Sequence, residues 1–424
     1  MRRHHGLALV LVAFAAPPAH ADAAGWSPSR AVPDSVGAGF PYDADVGGGG
    51  RLAVAMVRRG VRVIVRDPAG GWGAPELVSR PRASATAPDV EVTGRGEVIV
   101  AWTQSSSRRL PISGPNAVRV AVRSRRGRWS SWTVGGTRHF IAAEPRLAVN
   151  ARGDGAVIWR GWRRRGGRDR LLAAFRPAGG AFTRAVSMGE TGIDQQVAVD
   201  RGGRVFAAWT RTLPPQHLRS QVRFARRVAG TWSRPETVAE DRVGGPQLAL
   251  VPDGSVVLAW RAAERGLGAT RTGEVVSAVR SPGGAWGPAR ALSSVRTKAI
   301  HLGTSSAGEV LATWTPAPPP LPERQQFALY LATRPPGGDF GPVTVTPDLV
   351  DGPLAVTADG TAVTLVDLPA MRAAVRPPGG PFGAPVRLSR VGGYPTVSAW
   401  GDVAVAVWMG FAPDRLRYAI LATD

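Results

Sequence analysis

The sequence predicts an all-β protein, a β-propeller of eight four-stranded blades, on three observations. A glycine-rich turn followed by an aromatic residue recurs along the chain. Each repeat holds four short runs of alternating apolar residues. The two ends of the chain supply complementary parts of one more unit. Self-similarity at 40–50 residues with four strands per unit is the period of a propeller blade.

The recurring turn reads "VRDPAGGWGAPELVSR", "VRSPGGAWGPARALSS" and "VRPPGGPFGAPVRLSR" in three of its copies. Its aromatic falls at Trp26, Trp72, Trp129, Phe182, Trp232, Trp286, Phe340 and Phe382. An arginine stands six residues before all but the first: Arg66, Arg123, Arg176, Arg226, Arg280, Arg334 and Arg376. In the fifth unit the runs are "PQLALV", "SVVLAW", "EVVSAVR" and "AWGPARALS", with Asp253-Gly254 and Pro282-Gly283-Gly284 between them. Period-two alternation, β-branched residues and Gly/Asp turns indicate strands joined by hairpins. No helical periodicity competes. The chain closes on "YPTVSAWGDVAVAVWMGFAPDRLRYAILATD", three strands without a fourth, and "GWSPSRAV" near the N-terminus is a fourth strand without the other three. An N-terminal strand at 25–33 is therefore expected to complete the last blade, 394–424, and to tie both termini down. Seven blades is the alternative count if one unit is an insertion.

The segment "MRRHHGLALVLVAFAAPPAHADAAG" has a basic start, a short apolar core and the small-x-small site Ala19-His20-Ala21. It predicts a secretory signal peptide at 1–21, cleaved after Ala21, and one propeller domain at 22–424. No second apolar run is long enough for a membrane span. There is no cysteine, so neither disulfides nor a cysteine-borne lipid anchor is available. The chain carries a formal charge of +22, almost all of it arginine, and Lys298 is its one lysine. Such a field favours anionic partners.

The turn aromatics, and a second set at Trp102, Trp159, Trp209, Trp260 and Trp314, are expected to fill the gaps between blades. The arginine series is expected to bind turn carbonyls or stack on aromatics, with a guanidinium ring cradling an anionic polymer as the alternative. Arg152-Gly153-Asp154 falls in a predicted hairpin turn.

"RSPGGAW" and its siblings resemble the Asp-box, or bacterial neuraminidase repeat, Ser/Thr-x-Asp-x-Gly-x-x-Trp, of sialidase-like propellers. Asp67 stands at the family's distance from Trp72, whereas Ser124, Pro177, Arg227, Ser281, Pro335 and Pro377 replace that aspartate elsewhere. The resemblance implies a secreted bacterial propeller fold. It does not imply sialidase activity, because the family's arginine triad, Tyr–Glu pair and acid have no matching motif here.

A site in a repeat protein is expected where the repeats diverge. The first strand of each unit has a small position (Ala44, Glu91, Ala148, Ala198, Ala249, Gly303, Ala355, Ser398), broken by Glu91. Two residues ahead is a variable one: Tyr42, Asp89, Arg146, Gln196, Gln247, His301, Pro353 and Thr396. Tyr42, Asp89, Glu91, Arg146, Gln196, Gln247 and His301 are the predicted lining of a channel mouth, with a plain water-filled channel as the bland alternative. Variable loops between second and third strands should open on the same face. In one of them Trp162, Arg163, Arg164, Arg165 and Arg168 could grip phosphate, sulfate or uronate groups. The mature chain's histidines, His139, His217 and His301, have no metal-ligand spacing, and neither a metal nor a cofactor is expected.

These readings converge on a secreted, monomeric binding protein for an extracellular polysaccharide or anionic surface polymer. A glycoside hydrolase or lyase using channel-mouth carboxylates is one rival. A protein-interaction scaffold is the other. Secretion argues against nucleic acid as the target.

Overall fold

A computed structural model describes residues 25–81, 84–105, 116–136, 140–163, 169–189, 192–213, 219–265, 272–317, 328–350, 352–367, 370–411 and 414–423. The signal-peptide segment, Arg164, Arg165, Arg168, His139 and His217 lie outside these residues.

Eight antiparallel sheets follow one another around a ring. Blade 1 is built from Gly39–Gly47, Arg51–Val57, Val61–Arg66 and Glu76–Leu77. Blade 2 runs from Ser84–Val92 to Trp129–Gly135, and blade 3 from Phe140–Val149 to Val186–Ser187. Blades 4, 5, 6 and 7 begin at Ile193–Val199, Gly244–Leu250, His301–Thr304 and Leu354–Val356. Blade 8 takes three strands from the C-terminus, Gly393–Trp400, Val403–Gly410 and Arg415–Ala422, and its outer strand, Arg30–Ala31, from the N-terminus. The expected closure is thus present. Arg30 pairs with Tyr418 and Ala31 with Arg417, while Trp26 bridges to Leu421.

The core lies in the seams. Trp102, Trp159, Trp209, Trp260, Trp314 and Trp408 occupy one position at the end of the second strand, and all are fully buried. Met56 fills it in blade 1, where a tryptophan is missing. Large side chains suit this place because facing sheets diverge outward and leave a widening gap.

At four of its seven positions the arginine series is structural, bonding to the neighbouring blade. Arg176 of blade 3 is 3% exposed, and its guanidinium reaches both oxygens of Glu97 in blade 2 at 3.2–3.3 Å. It also donates to the Gly153 and Gly180 carbonyls at 2.7 and 2.9 Å. Arg123, Arg280 and Arg376 pair likewise with Glu76, Glu236 and Glu309 of the preceding blade. In blade 4 the repeat is one residue out of step, and Arg227 rather than Arg226 stands opposite Val205. Its guanidinium carbon lies 4.1 Å from the Phe175 ring centroid. Guanidiniums committed to neighbouring blades cannot cradle a polymer. Asp154 of the Arg-Gly-Asp turn is also buried, bonded to Asn150, Arg152 and the Ala178 amide.

Candidate functional site

Each first strand lines the axis, and most carry a bulge at their upstream end. Pairing shifts between Thr86 and Asp89, Ala143 and Arg146, Ile193 and Gln196, Gly244 and Gln247, and Gly393 and Thr396. Inside these bulges one residue takes a left-handed conformation: Ala87, Glu144, Asp194, Gly245 and Tyr394, with φ between 50° and 59°. Only one of the five is glycine, so the strained geometry is held by the sheet and not granted by the residue. The bulge re-aims the strand, as bulges do beside binding sites. Downstream of it, alternate side chains face the axis.

Two inward layers result. The upper contains Asp43, Asp89, Arg146, Gln196, Gln247, His301 and Thr396, and the lower contains Asp45, Glu91 and Ser398 among small residues. Blade 1 corrects the sequence reading. Tyr42 does not line the channel but is buried in the seam with blade 8, where its hydroxyl donates to the Tyr394 carbonyl. Asp43 faces the axis in its place, and Asp45 replaces Ala44.

The carboxylates form an acid wall over blades 1 and 2. Asp43 Oδ2 accepts the Val90 amide at 2.8 Å, Asp45 Oδ2 the Val92 amide at 2.6 Å, and Asp89 Oδ2 the Leu147 amide at 3.1 Å. Each therefore clasps the first strand of the next blade. The Ser398 hydroxyl also donates to Asp45 Oδ1. Among the described residues the Glu91 carboxyl has no hydrogen-bond partner. The four groups are half-buried, facing the channel with protein packed densely around them. Burial pushes Asp43 up to about 6, Asp45 to about 7 and Asp89 to about 8. The neighbouring carboxyls push Asp45 and Asp89 up further, while Arg146 pulls Asp43 and Asp89 down. Glu91 is raised well above the usual range by burial and by Asp45, Asp89 and Asp43. Much of the wall thus carries protons at neutral pH.

The opposite side is different in character. Glu144, Arg146, Asp194, Gln196, Gln247, Arg261, Lys298 and His301 converge on a cavity of about 400 Å³ at the mouth. A second cavity, of about 440 Å³, lies against the acid wall and shares Arg146 and Gln196 with the first. Burial holds the His301 imidazole down at about 4, so it is neutral at pH 7. Four of the predicted residues, Arg146, Gln196, Gln247 and His301, therefore meet in one place, and Asp89 and Glu91 stand beside them. Trp162 lines neither cavity; the Arg160 guanidinium carbon sits 5.2 Å from its ring centroid and is paired with Asp169 at 2.5 Å.

Sequence reading missed Asp43, Asp45, Glu144, Asp194, Arg261 and Lys298. A signal for the first two exists. "DADV" at 43–46 repeats as "DVEV" at 89–92, two acids at strand spacing in consecutive units. Glu144 and Asp194 act from bulges, which a regular alternation does not anticipate.

No protein-family model matches the chain, and no curated protein matches it in sequence. Solved structures do. The polysaccharide lyase Uly1 is similar at 11% identity and TM-score 0.52, over 79% of this chain and 90% of that one. The BP39L lectin from Burkholderia pseudomallei is similar at 12% identity and TM-score 0.51, over 82% and 97%. The Dos1 propeller is similar at 10% identity and TM-score 0.53, over 92% and 93%. At such identities the likeness is one of fold: the chain is an eight-bladed β-propeller with a polar axial channel. Among the described residues no helix is long and apolar enough to cross a membrane, and no group of His, Cys, Asp and Glu could hold a metal ion.

Proposed function

We propose that this protein is a secreted binding propeller that takes an extracellular polysaccharide at its channel mouth. One observation carries the reading: Arg146, Gln196, Gln247 and His301, picked out by divergence between repeats, line one cavity of about 400 Å³. Amides, a neutral imidazole and a guanidinium offer the donors and acceptors that hydroxyl-rich ligands need. A lectin and a polysaccharide lyase of similar fold agree with this reading. The +22 charge would add long-range attraction to anionic polymers. The test is binding of residues 22–424 to a panel of neutral and anionic polysaccharides, each titrated with salt. Selective binding that persists at high salt and falls about tenfold in Gln196→Ala or Gln247→Ala is the expected result. Binding to every polyanion that vanishes with salt would reduce the protein to a basic surface.

A glycoside hydrolase or lyase is the second reading, favoured by the acid wall. A carboxyl still protonated near pH 7 is what a general acid requires. Under this reading the double change Asp89→Ala, Glu91→Ala abolishes turnover of the bound polymer. A wild-type protein that binds but releases no product over days excludes it.

A further inference from the structure

Three aromatic side chains stand exposed among the described residues, and all belong to one corner of the molecule, where blade 8 meets blade 1. Phe40 is 64% exposed, Tyr394 56% and Phe411 46%. The Phe40 and Tyr394 rings stack with centroids 4.9 Å apart at 29°. Phe40 also rests edge-on against buried Tyr42. Phe411 abuts Gly393, where an added Cβ would lie 3.2 Å from the ring. Exposed Leu77, Val186 and Val345, by contrast, sit singly on the outer strands of three different blades, a scatter that needs no explanation.

Tyr394 is held at φ 54°, a conformation bulky residues avoid. The bulge thus keeps a large ring on the surface at a conformational cost. The corner adjoins the acid wall. Phe40 precedes Asp43 by three residues and Tyr394 precedes Thr396 by two, on neighbouring first strands. At roughly 3.3 Å per residue the backbone positions of Phe40 and Asp43 lie within about 10 Å of each other along the strand, the length of about two linked sugar residues.

We propose that Phe40 and Tyr394 form a stacking platform for one pyranose of a neutral glycan, whose next residue directs its hydroxyls to Asp43. This rests on the polysaccharide reading above and narrows it. An acidic sugar would set its carboxylate against Asp43, the carboxyl of the wall that is ionised above about pH 6. A polycationic glycan would approach a chain of charge +22. A neutral glycan escapes both penalties: one ring's C–H face covers the aromatics and the next ring's hydroxyls donate to the Asp43 carboxyl oxygens. A second copy of the chain is a poor occupant. Three part-exposed rings offer on the order of a few hundred Å², against roughly 800 Å² per partner in a stable interface.

The test uses residues 22–424 at about 150 mM salt, where surface charges are screened beyond about 8 Å. Calorimetry would compare neutral glucose, mannose and galactose oligomers with a uronate oligomer and a glucosamine oligomer. The variants are Phe40→Ala and Tyr394→Asn, asparagine being at ease with positive φ, with Val186→Ser as control. At least one neutral oligomer should bind, about tenfold or more weaker in either ring variant and unchanged in the control, with melting temperatures preserved. Neutral binding untouched in both ring variants overturns the platform and leaves the polysaccharide reading standing. A uronate or glucosamine oligomer bound more tightly than every neutral one, and lost with the rings, overturns the neutral assignment. Self-association abolished by Phe40→Ala assigns the corner to a second copy instead. A wild-type protein that binds none of the oligomers or parent polymers sinks both readings.

Discussion

Asp45 accepts the Val92 amide at 2.6 Å through one carboxyl oxygen and the Ser398 hydroxyl through the other. One side chain in blade 1 thereby ties blades 2 and 8 together at the axis, beside the blade where the two chain ends meet. Asp45→Ala would leave the Val92 amide without that acceptor, a loss of about 1–3 kcal/mol. Asp45→Asn keeps an acceptor and should recover part of it. Urea unfolding at pH 6 measures the difference; an alanine variant as stable as the parent would show that the clasp is incidental.

The acid wall sets a pH dependence. In the folded state Asp43, Asp45 and Asp89 titrate near 6, 7 and 8, against about 3.8 for a free aspartate. The native protein holds protons that the unfolded chain has released, so these groups stabilise at acid pH and that contribution fades as pH rises toward 8. His301 works in reverse, since its folded value near 4 lies below the free value of 6.5 and costs stability as pH falls through that window. The two oppose each other below pH 6.5, and above it the carboxyls dominate. The melting temperature should therefore fall between pH 6.5 and 8, and the slope should flatten in Asp89→Asn. A flat profile in the wild type would mean the wall is solvated and ordinary.

The N-terminal segment should be indispensable to the ring. Trp26 is 6% exposed in the blade 7–8 seam, and Ser29 holds the Arg417 guanidinium at 2.8–3.0 Å. Trp26→Ala should cost about 3–5 kcal/mol, the range for emptying a large aromatic from a core. Deleting Asp22–Pro33 should lower the melting temperature further still, because the outer edge of blade 8 is then unpaired. An unchanged melt in the deletion would deny the N-terminal strand any part in closure.

The ring was legible from sequence because its signals are local and recur along the chain: turn glycines, strand alternation and, in six blades, the seam tryptophans. The site was legible only where the repeats stay in phase. In blade 2 two residues, Ala87 and Pro88, separate the pairs Thr86–Thr103 and Asp89–Ala101. In blade 1 Phe40 and Pro41 separate Gly39–Val57 from Tyr42–Met56, so the bulged strand gains one residue more on its partner. Aligning Pro41 with Pro88 hides that residue, and a one-residue slip exchanges every inward side chain for its neighbour. That alignment therefore points to Tyr42 in place of Asp43. Phe40 and Tyr394 are adjacent only because blades 1 and 8 close the ring, so no local pattern announces their stacking.

Glu91 offers the most discriminating single substitution. It sits in the lower layer with Asp45, in a position that is small in most other blades, and has no hydrogen-bond partner among the described residues. Its carboxyl is raised by burial first and by Asp45, Asp89 and Asp43 after it. Ionising it in this enclosed space beside three other carboxyls is opposed, so Glu91 holds its proton more tightly than a free glutamate does. Glutamine has nearly the shape of the neutral acid. Glu91→Gln should therefore shift stability by no more than about 0.5 kcal/mol at pH 6 and raise it at pH 9, where the wild-type acid must be forced either to ionise or to hold its proton against solvent. If the channel is catalytic, the same change removes a proton donor and abolishes turnover while leaving polysaccharide affinity within about twofold. If the protein only binds, affinity and stability at pH 6 both stay where they were. A loss of about 2 kcal/mol or more at pH 6 would be incompatible with either case, since it would require Glu91 to be ionised and paired.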